Sequence, residues 1–125
     1  MAKRVLLAED EPNIVETLTF LLERAGFDVA SEMNGQAALD AALADPPDVM
    51  ILDVMLPGLD GFEILRRLRA DARVQALPVL MLTAKGQRED REKALECGAD
   101  LFMTKPFANA EITAAVTRLA SEARA

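Results

Sequence analysis

Histidine is absent from this chain of 125 residues, and cysteine occurs only once, as Cys97. The missing histidines exclude imidazole metal ligands, serine–histidine catalytic triads and histidine general bases. A single cysteine excludes an internal disulfide framework. Any chemistry in this chain must therefore use carboxylates, lysine, hydroxyl groups or the one thiol.

Long apolar runs and basic clusters are also missing. The sequence contains neither an apolar span of about 20 residues nor a signal-peptide pattern, so we predict a soluble, cytoplasmic chain with no membrane association. The net charge is −7, and direct nucleic-acid binding is not expected, because such binding needs a positive footprint. Hydrophobic residues make up 51% of the chain, enough to bury the core of one domain over residues 1–125.

Five short apolar runs alternate with five amphipathic stretches along the chain. The central runs are continuously apolar, which is typical of strands buried on both faces. The predicted strands cover residues 5–8, 27–30, 49–52, 79–82 and 101–103. The helical stripes cover residues 14–25, 38–43, 62–68, 89–97 and 112–119, with Asp60 as the cap of the third helix.

Five successive βα units predict an α/β fold, in which helices cover both faces of a parallel sheet. With five strands, the flavodoxin-like (βα)₅ order 2-1-3-4-5 is the first choice. In this order strands 1 and 3 are neighbours, and the carboxyl ends of all strands open onto one rim.

Acidic residues follow two of these neighbouring strands. Glu9 and Asp10 follow the first strand and Asp53 follows the third, so their carboxylates should converge. Converging carboxylates repel one another unless a cation relieves the repulsion. The all-oxygen set favours Mg²⁺, with Mn²⁺ or Ca²⁺ able to substitute. We predict Asp10 and Asp53 as direct ligands, Glu9 as a ligand through water and the backbone carbonyl of Met55 as a further oxygen.

A hydroxyl group and an amine are predicted at the same rim. Thr83 ends the fourth strand and Lys105 follows the fifth. Together with Mg²⁺, these groups can neutralise the charge on a transferring phosphoryl group. Asp53 would then be the nucleophile and would become an aspartyl phosphate.

This pattern resembles the receiver domain of two-component response regulators over essentially the whole chain. The matching residues are Glu9-Asp10, the stretch 53–61, Thr83-Ala84 and Lys105-Pro106-Phe107. The resemblance implies that a histidine kinase or a histidine phosphotransfer protein donates a phosphoryl group to Asp53. It implies a signalling protein that catalyses only its own phosphorylation and dephosphorylation, and a cis peptide bond before Pro106.

The resemblance also implies how phosphorylation is read out. The hydroxyl of Thr83 is drawn toward the phosphoryl group, and the aromatic residue at position 102 moves inward. This movement changes the face formed by helix 4, strand 5 and helix 5, and so controls a downstream partner. Because this chain has Phe102 where many members have tyrosine, the switch is expected to work by packing alone.

The branch of the family and the oligomeric state are less sharply defined. Met55, Lys85 and Phe107 resemble receivers of winged-helix transcription factors, which dimerise through that same face. Leu101 and Ala115 stand where that branch usually carries an acidic and a basic residue. We therefore expect either a monomer or a phosphorylation-dependent homodimer. Charge pairs across that face would be expected at Arg91, Asp100 and Glu111.

Two further expectations concern the phosphate and the end of the chain. Met55 and Lys85 offer no carboxylate or amide to position an attacking water, so the phosphorylated state should be fairly long-lived. The residues after the fifth helix, 121–125, are too few for a DNA-binding domain. The sequence is therefore either a stand-alone receiver or a part of a longer regulator.

Three alternatives remain from the sequence alone. An aspartyl-phosphate hydrolase needs a second acid two residues after its nucleophile, where this chain has Met55. A flavin-binding electron carrier needs a glycine- and hydroxyl-rich loop after strand 1, whereas residues 9–11 would repel a phosphate in the absence of metal. The third alternative is a receiver that is used only for docking, against which the complete site argues.

Overall fold

The computed structural model describes residues 2–84 and 88–122, with the backbone alone at residue 122. Within these ranges five strands alternate with five helices. The strands are β1 (Arg4–Ala8), β2 (Asp28–Glu32), β3 (Val49–Asp53), β4 (Val79–Thr83) and β5 (Leu101–Thr104). The helices are α1 (Pro12–Arg24), α2 (Gly35–Ala44), α3 (Gly61–Ala70), α4 (Arg88–Cys97) and α5 (Asn109–Glu122).

All five strands form one parallel sheet in the order β2-β1-β3-β4-β5, which confirms the predicted flavodoxin-like fold. The inner strands β3 and β4 are buried along their whole length, which explains their continuous apolar sequences. Alternate side chains enter two cores. One core lies under α2, α3 and α4 and the other under α1 and α5, so the domain is a three-layer sandwich.

The predicted bounds of β2 are wrong. The apolar pattern placed this strand at residues 27–30, whereas β2 runs from Asp28 to Glu32. Pairing with β1 sets its length, since Arg4 pairs with Asp28 and Ala8 with Glu32. An edge strand needs little burial, so the polar residues Ser31 and Glu32 can belong to it.

Local signals in the sequence set the ends of several helices. The side chain of Asp60 accepts a hydrogen bond from the N–H of Glu63 at 2.9 Å, which confirms the predicted cap of α3. Pro12 begins α1, and Gly26 adopts φ +100° just after that helix ends. Among the helices within residues 2–84 and 88–122, none is long and apolar enough to cross a membrane.

Arg69 ties together the loops at the amino-terminal ends of β4 and β5, which was not predicted. Its guanidinium donates hydrogen bonds to the carbonyl oxygens of Leu77 at 2.6 Å and Gly98 at 2.7 Å. It also lies 3.0 Å from a carboxylate oxygen of Asp100, which in turn accepts a bond from the N–H of Val79 at 2.8 Å. The Asp100 carboxylate is therefore engaged within its own chain.

Candidate functional site

The carboxyl ends of β1 and β3 carry the acidic residues selected from the sequence. Ala8 pairs with Leu52 in the parallel register, so Glu9 follows β1 at the level at which Asp53 ends β3. Carboxylate oxygens from Glu9, Asp10 and Asp53 all lie within 4.8 Å of one another. The strand order thus brings the three acids into one cluster.

Asp53 is almost completely buried, with 3% of its surface exposed. Its Oδ2 lies 3.2 Å from the Nζ atom of Lys105. Its Oδ1 accepts a hydrogen bond from the N–H of Met55 at 3.3 Å. Each carboxylate oxygen of Asp53 therefore faces a donor, and the side chain is held in place at the end of its strand.

Lys105 is surrounded by carboxylates. Its Nζ atom lies 2.8 Å from Oε1 of Glu9 and 3.1 Å from Oε1 of Glu11, in addition to its contact with Asp53. Burial lowers the pKa of Lys105, but the neighbouring carboxylates outweigh burial and hold that pKa above its usual value. Lys105 is therefore an ammonium ion at any physiological pH.

The backbone around Lys105 is fixed at the same rim. The N–H of Lys105 donates to the carbonyl oxygen of Thr83 at 2.8 Å, which joins the end of β4 to the loop after β5. The peptide bond between Lys105 and Pro106 is cis, as the resemblance implied. The backbone bond to Thr83 holds Lys105 at the rim, where its side chain lies beside Asp53.

Glu9 is fully buried beside this ammonium. Burial raises the pKa of Glu9 to about 7, against the opposing effects of Lys105 and the N–H of Glu11. Its Oε2 accepts a hydrogen bond from that N–H at 3.0 Å. Its Oε1 is buried and lacks a well-directed hydrogen bond, although the ammonium of Lys105 is close.

These residues fit a hard divalent cation. The cluster supplies only oxygen atoms, the ligands that Mg²⁺ prefers. Three carboxylates in close contact, one with a buried oxygen lacking a directed hydrogen bond, are electrostatically unfavourable without added positive charge. A magnesium ion at this rim would reduce the repulsion among the carboxylates and bring positive charge near the buried oxygen of Glu9.

Glu9 gives the metal-free protein a distinct pH dependence. Its pKa is about 7 in the folded chain against 4.5 as the ordinary value, so folding binds a proton between these pH values. The contribution of Glu9 to the free energy of unfolding should be greatest below pH 4.5 and should be lost as the pH rises through about 7. Urea unfolding in a chelating buffer measures this. Glu9→Gln should remove the decline and Glu16→Gln should keep it; parallel profiles for wild type and Glu9→Gln would contradict the assignment.

The other predicted site residues lie around the acidic cluster. Thr83 is buried at the end of β4, and Phe102 is partly buried on β5 against the core under α4. Met55 follows Asp53 by two residues and is exposed. The predicted long lifetime of the phosphorylated state also depends on Lys85, which lies outside the described residues.

One contact at the rim was not predicted from the sequence. From the sequence, Glu11 counts only as part of the acidic run 9–11 that would repel a phosphate, but its carboxylate reaches Lys105. The two residues are separated by 94 positions in the chain. The run of three acids from Glu9 to Glu11 was the available signal, but only the fold shows where the third side chain points.

Comparison with known proteins assigns this fold and this acidic rim to a family. The response regulator receiver domain family matches residues 5–117. The chain therefore belongs to the family of two-component response regulator receiver domains. The sheet order and the acids at the strand ends agree with this assignment.

Two transcriptional regulators are similar to this chain over most of its length. The chain is 46% identical over 116 residues to the alkaline phosphatase synthesis transcriptional regulatory protein PhoP of Bacillus subtilis. It is 42% identical over 116 residues to the DNA-binding dual master transcriptional regulator RpaA of Synechocystis. Each match covers 93% of this chain and 48% of the relative, so the chain spans about half the length of these relatives.

A solved structure shows the same fold with a metal ion. The receiver domain of the sensor histidine kinase PA1611 from Pseudomonas aeruginosa has a magnesium ion coordinated in its active site cleft. Its TM-score to this chain is 0.90 at 30% sequence identity, with 98% of this chain and 100% of that chain covered. The metal in that protein agrees with the oxygen-rich cluster found here.

Proposed function

We propose that residues 1–125 form a single receiver domain that acts as a phosphorylation-activated signalling switch. A histidine kinase or a histidine phosphotransfer protein donates a phosphoryl group to Asp53 in the presence of Mg²⁺. One observation carries the proposal: a buried carboxylate at the end of the central strand faces the ammonium of Lys105 at 3.2 Å, within a cluster of metal-binding oxygens. As a receiver domain it acts in signalling, and the only reactions it catalyses are its own phosphorylation and dephosphorylation.

The chemical step follows from the groups around Asp53. An oxygen of Asp53 forms the new bond to phosphorus, while the bond from phosphorus to the donor nitrogen breaks and the imidazole leaves with the electron pair. Lys105 and the hydroxyl of Thr83 donate hydrogen bonds to the phosphoryl oxygens, whose charge increases during transfer. An ionised carboxylate needs no general base, which suits a chain without histidine.

The metal ligands are part of the same proposal. Asp10 and Asp53 would hold Mg²⁺ directly, Glu9 through water, and Met55 through its backbone carbonyl; Mn²⁺ or Ca²⁺ could take the place of Mg²⁺. A bound cation would supply positive charge for the phosphoryl oxygens and would relieve the repulsion among the acids. The observation that supports this assignment is the close approach of the three carboxylates.

The readout runs from Thr83 to the face formed by α4, β5 and α5. Phe102 lies on β5, next to Met81 of β4 in the sheet, and also lines a groove of about 570 Å³ between β5 and α5. Movement of Phe102 toward the interior would therefore change the shape of this groove, by packing alone. A downstream effector protein would read that change, in a cytoplasmic monomer or a phosphorylation-dependent homodimer.

Phosphoryl uptake is the property to test. Incubation with Mg²⁺ and acetyl phosphate should add one phosphoryl group to the intact protein, as mass spectrometry would show. Asp53→Asn should abolish the added mass, because an amide is a poor nucleophile. Asp71→Asn, at the end of α3 where the carboxylate pairs with Arg73 and not with the acidic cluster, should leave it unchanged. An equal mass increment in Asp53→Asn would overturn the proposal, as would a wild-type protein that takes up nothing.

A further inference from the structure

Glu11 occupies one of the hydrogen-bonding positions of Lys105. An ammonium group has three donor protons, and three carboxylate oxygens lie within 3.2 Å of Nζ of Lys105. They belong to Glu9, Glu11 and Asp53. Lys105 donates hydrogen bonds to Glu11 and Asp53, and Oε1 of Glu9 lies close to it without a well-directed bond. A phosphoryl oxygen that contacts the ammonium must therefore enter a space already crowded by carboxylates.

Glu11 is the partner that can leave most easily. The side chain of Glu9 is 0% exposed and that of Asp53 4% exposed, whereas the side chain of Glu11 is 57% exposed. Releasing an exposed carboxylate returns it to water, while releasing a buried one strands a charge in the interior. The carboxylate of Glu9 also accepts a hydrogen bond from the N–H of Glu11. Asp53 is the residue that receives the phosphoryl group in the proposed function.

The side chain of Glu11 is engaged with Lys105 and not with the helix that follows it. Glu11 is the N-cap residue of α1 with an extended backbone, yet its side chain makes no capping hydrogen bond. Negative groups at a helix amino terminus are normally drawn to the exposed N–H groups there. Here the carboxylate contacts Lys105 across the rim and makes no capping bond to the helix.

We propose that Glu11 is a positioning residue that competes with the incoming phosphoryl group for Lys105. In the unphosphorylated domain it holds the ammonium of Lys105 beside Asp53. During transfer a phosphoryl oxygen replaces the Glu11 carboxylate as a hydrogen-bond acceptor of Lys105. The covalent step is unchanged, since only a hydrogen-bonded partner is exchanged. This inference rests on the proposed function of Asp53.

Removing the charge of Glu11 should accelerate phosphoryl uptake. Glu11→Gln keeps the length of the side chain and weakens its hold on Lys105. We expect uptake from acetyl phosphate at saturating Mg²⁺ to become roughly two- to fivefold faster, the range for loss of one exposed ion pair. Glu16→Gln is the matched control, because it removes one negative charge from the exposed face of the same helix.

A double-variant cycle separates competition for Lys105 from a general effect of charge. The acceleration by Glu11→Gln should disappear when it is combined with Lys105→Met, since no ammonium remains to be released. Glu16→Gln should change the rate in neither background. The inference is overturned if Glu11→Gln is no faster than wild type, if Glu16→Gln accelerates equally, or if the acceleration persists with Lys105→Met.

A second measurement needs no phosphorylation. The ammonium protons of Lys105, observed by ¹⁵N nuclear magnetic resonance in metal-free protein, should exchange with water faster in Glu11→Gln than in wild type or Glu16→Gln. If wild type takes up no phosphoryl group, the proposed function fails whatever this signal shows. If uptake is normal but Glu11→Gln changes neither rate nor exchange, the inference about Glu11 alone fails.

Discussion

Replacing Lys105 with methionine should slow phosphoryl uptake by roughly 10²–10³-fold, the usual effect of losing one preorganised donor at a developing negative charge. The methionine side chain has a similar length but donates no hydrogen bond. The loss should be large here because Lys105 is only 10% exposed and lies 3.2 Å from Asp53, where water cannot replace it. The measurement is the rate of mass increase with acetyl phosphate at saturating Mg²⁺.

The control for this variant must separate chemistry from folding. Removing Lys105 leaves the carboxylates of Glu9, Glu11 and Asp53 without their cation, so the variant will also be less stable. The rate should therefore be measured where circular dichroism shows a folded protein. Lys3→Met, far from the acidic cluster, should react at the wild-type rate. A folded Lys105→Met protein that reacts as fast as wild type would show that the lysine has no role in the transfer.

Gly35→Ala should destabilise the domain by about 3 kcal/mol, at the upper end of the range for overpacking a tight contact. A Cβ atom at this position would overlap the carbonyl oxygen of Leu59 and lie 2.7 Å from its carbonyl carbon. The N–H of Gly35 also donates to the carbonyl of Pro57 at 2.9 Å. The start of α2 thus packs directly on the loop that follows Met55, and backbone cannot move aside as a side chain can.

Chemical denaturation of Gly35→Ala distinguishes two effects that change the free energy of unfolding in opposite directions. Helix propensity alone predicts that alanine stabilises a helix by roughly 0.5–1 kcal/mol relative to glycine. Gln36→Ala is the neighbouring control, and loss of its exposed bond to Asp40 should change the free energy of unfolding by less than about 0.5 kcal/mol. A Gly35→Ala protein as stable as wild type would contradict the close packing of α2 on this loop.

The sequence predicted the fold because its apolar pattern is simple. Burial on both faces makes β3 and β4 continuously apolar, and this signal depends only on neighbouring residues. The order of βα units then limits the topology to a few choices. The convergence of Glu9, Asp10 and Asp53 followed from topology alone, because residues at the ends of adjacent parallel strands must be close.

Three features could not be read from the sequence, each for a physical reason. The extent of β2 depends on its pairing with β1, since an edge strand carries little apolar signal. The contacts of Arg69 with the loops before β4 and β5 depend on the tertiary arrangement. The contact between Glu11 and Lys105 joins residues 94 positions apart, so it too depends on the tertiary arrangement.

The central claim is that Asp53 receives the phosphoryl group, and borohydride reduction tests it most directly. Borohydride converts an aspartyl phosphate to homoserine and leaves unmodified aspartate intact. After incubation with Mg²⁺ and acetyl phosphate, reduction and peptide mapping should show homoserine at residue 53 and at no other position. Homoserine at Asp10, or a phosphorylated protein that yields no homoserine, would contradict the account.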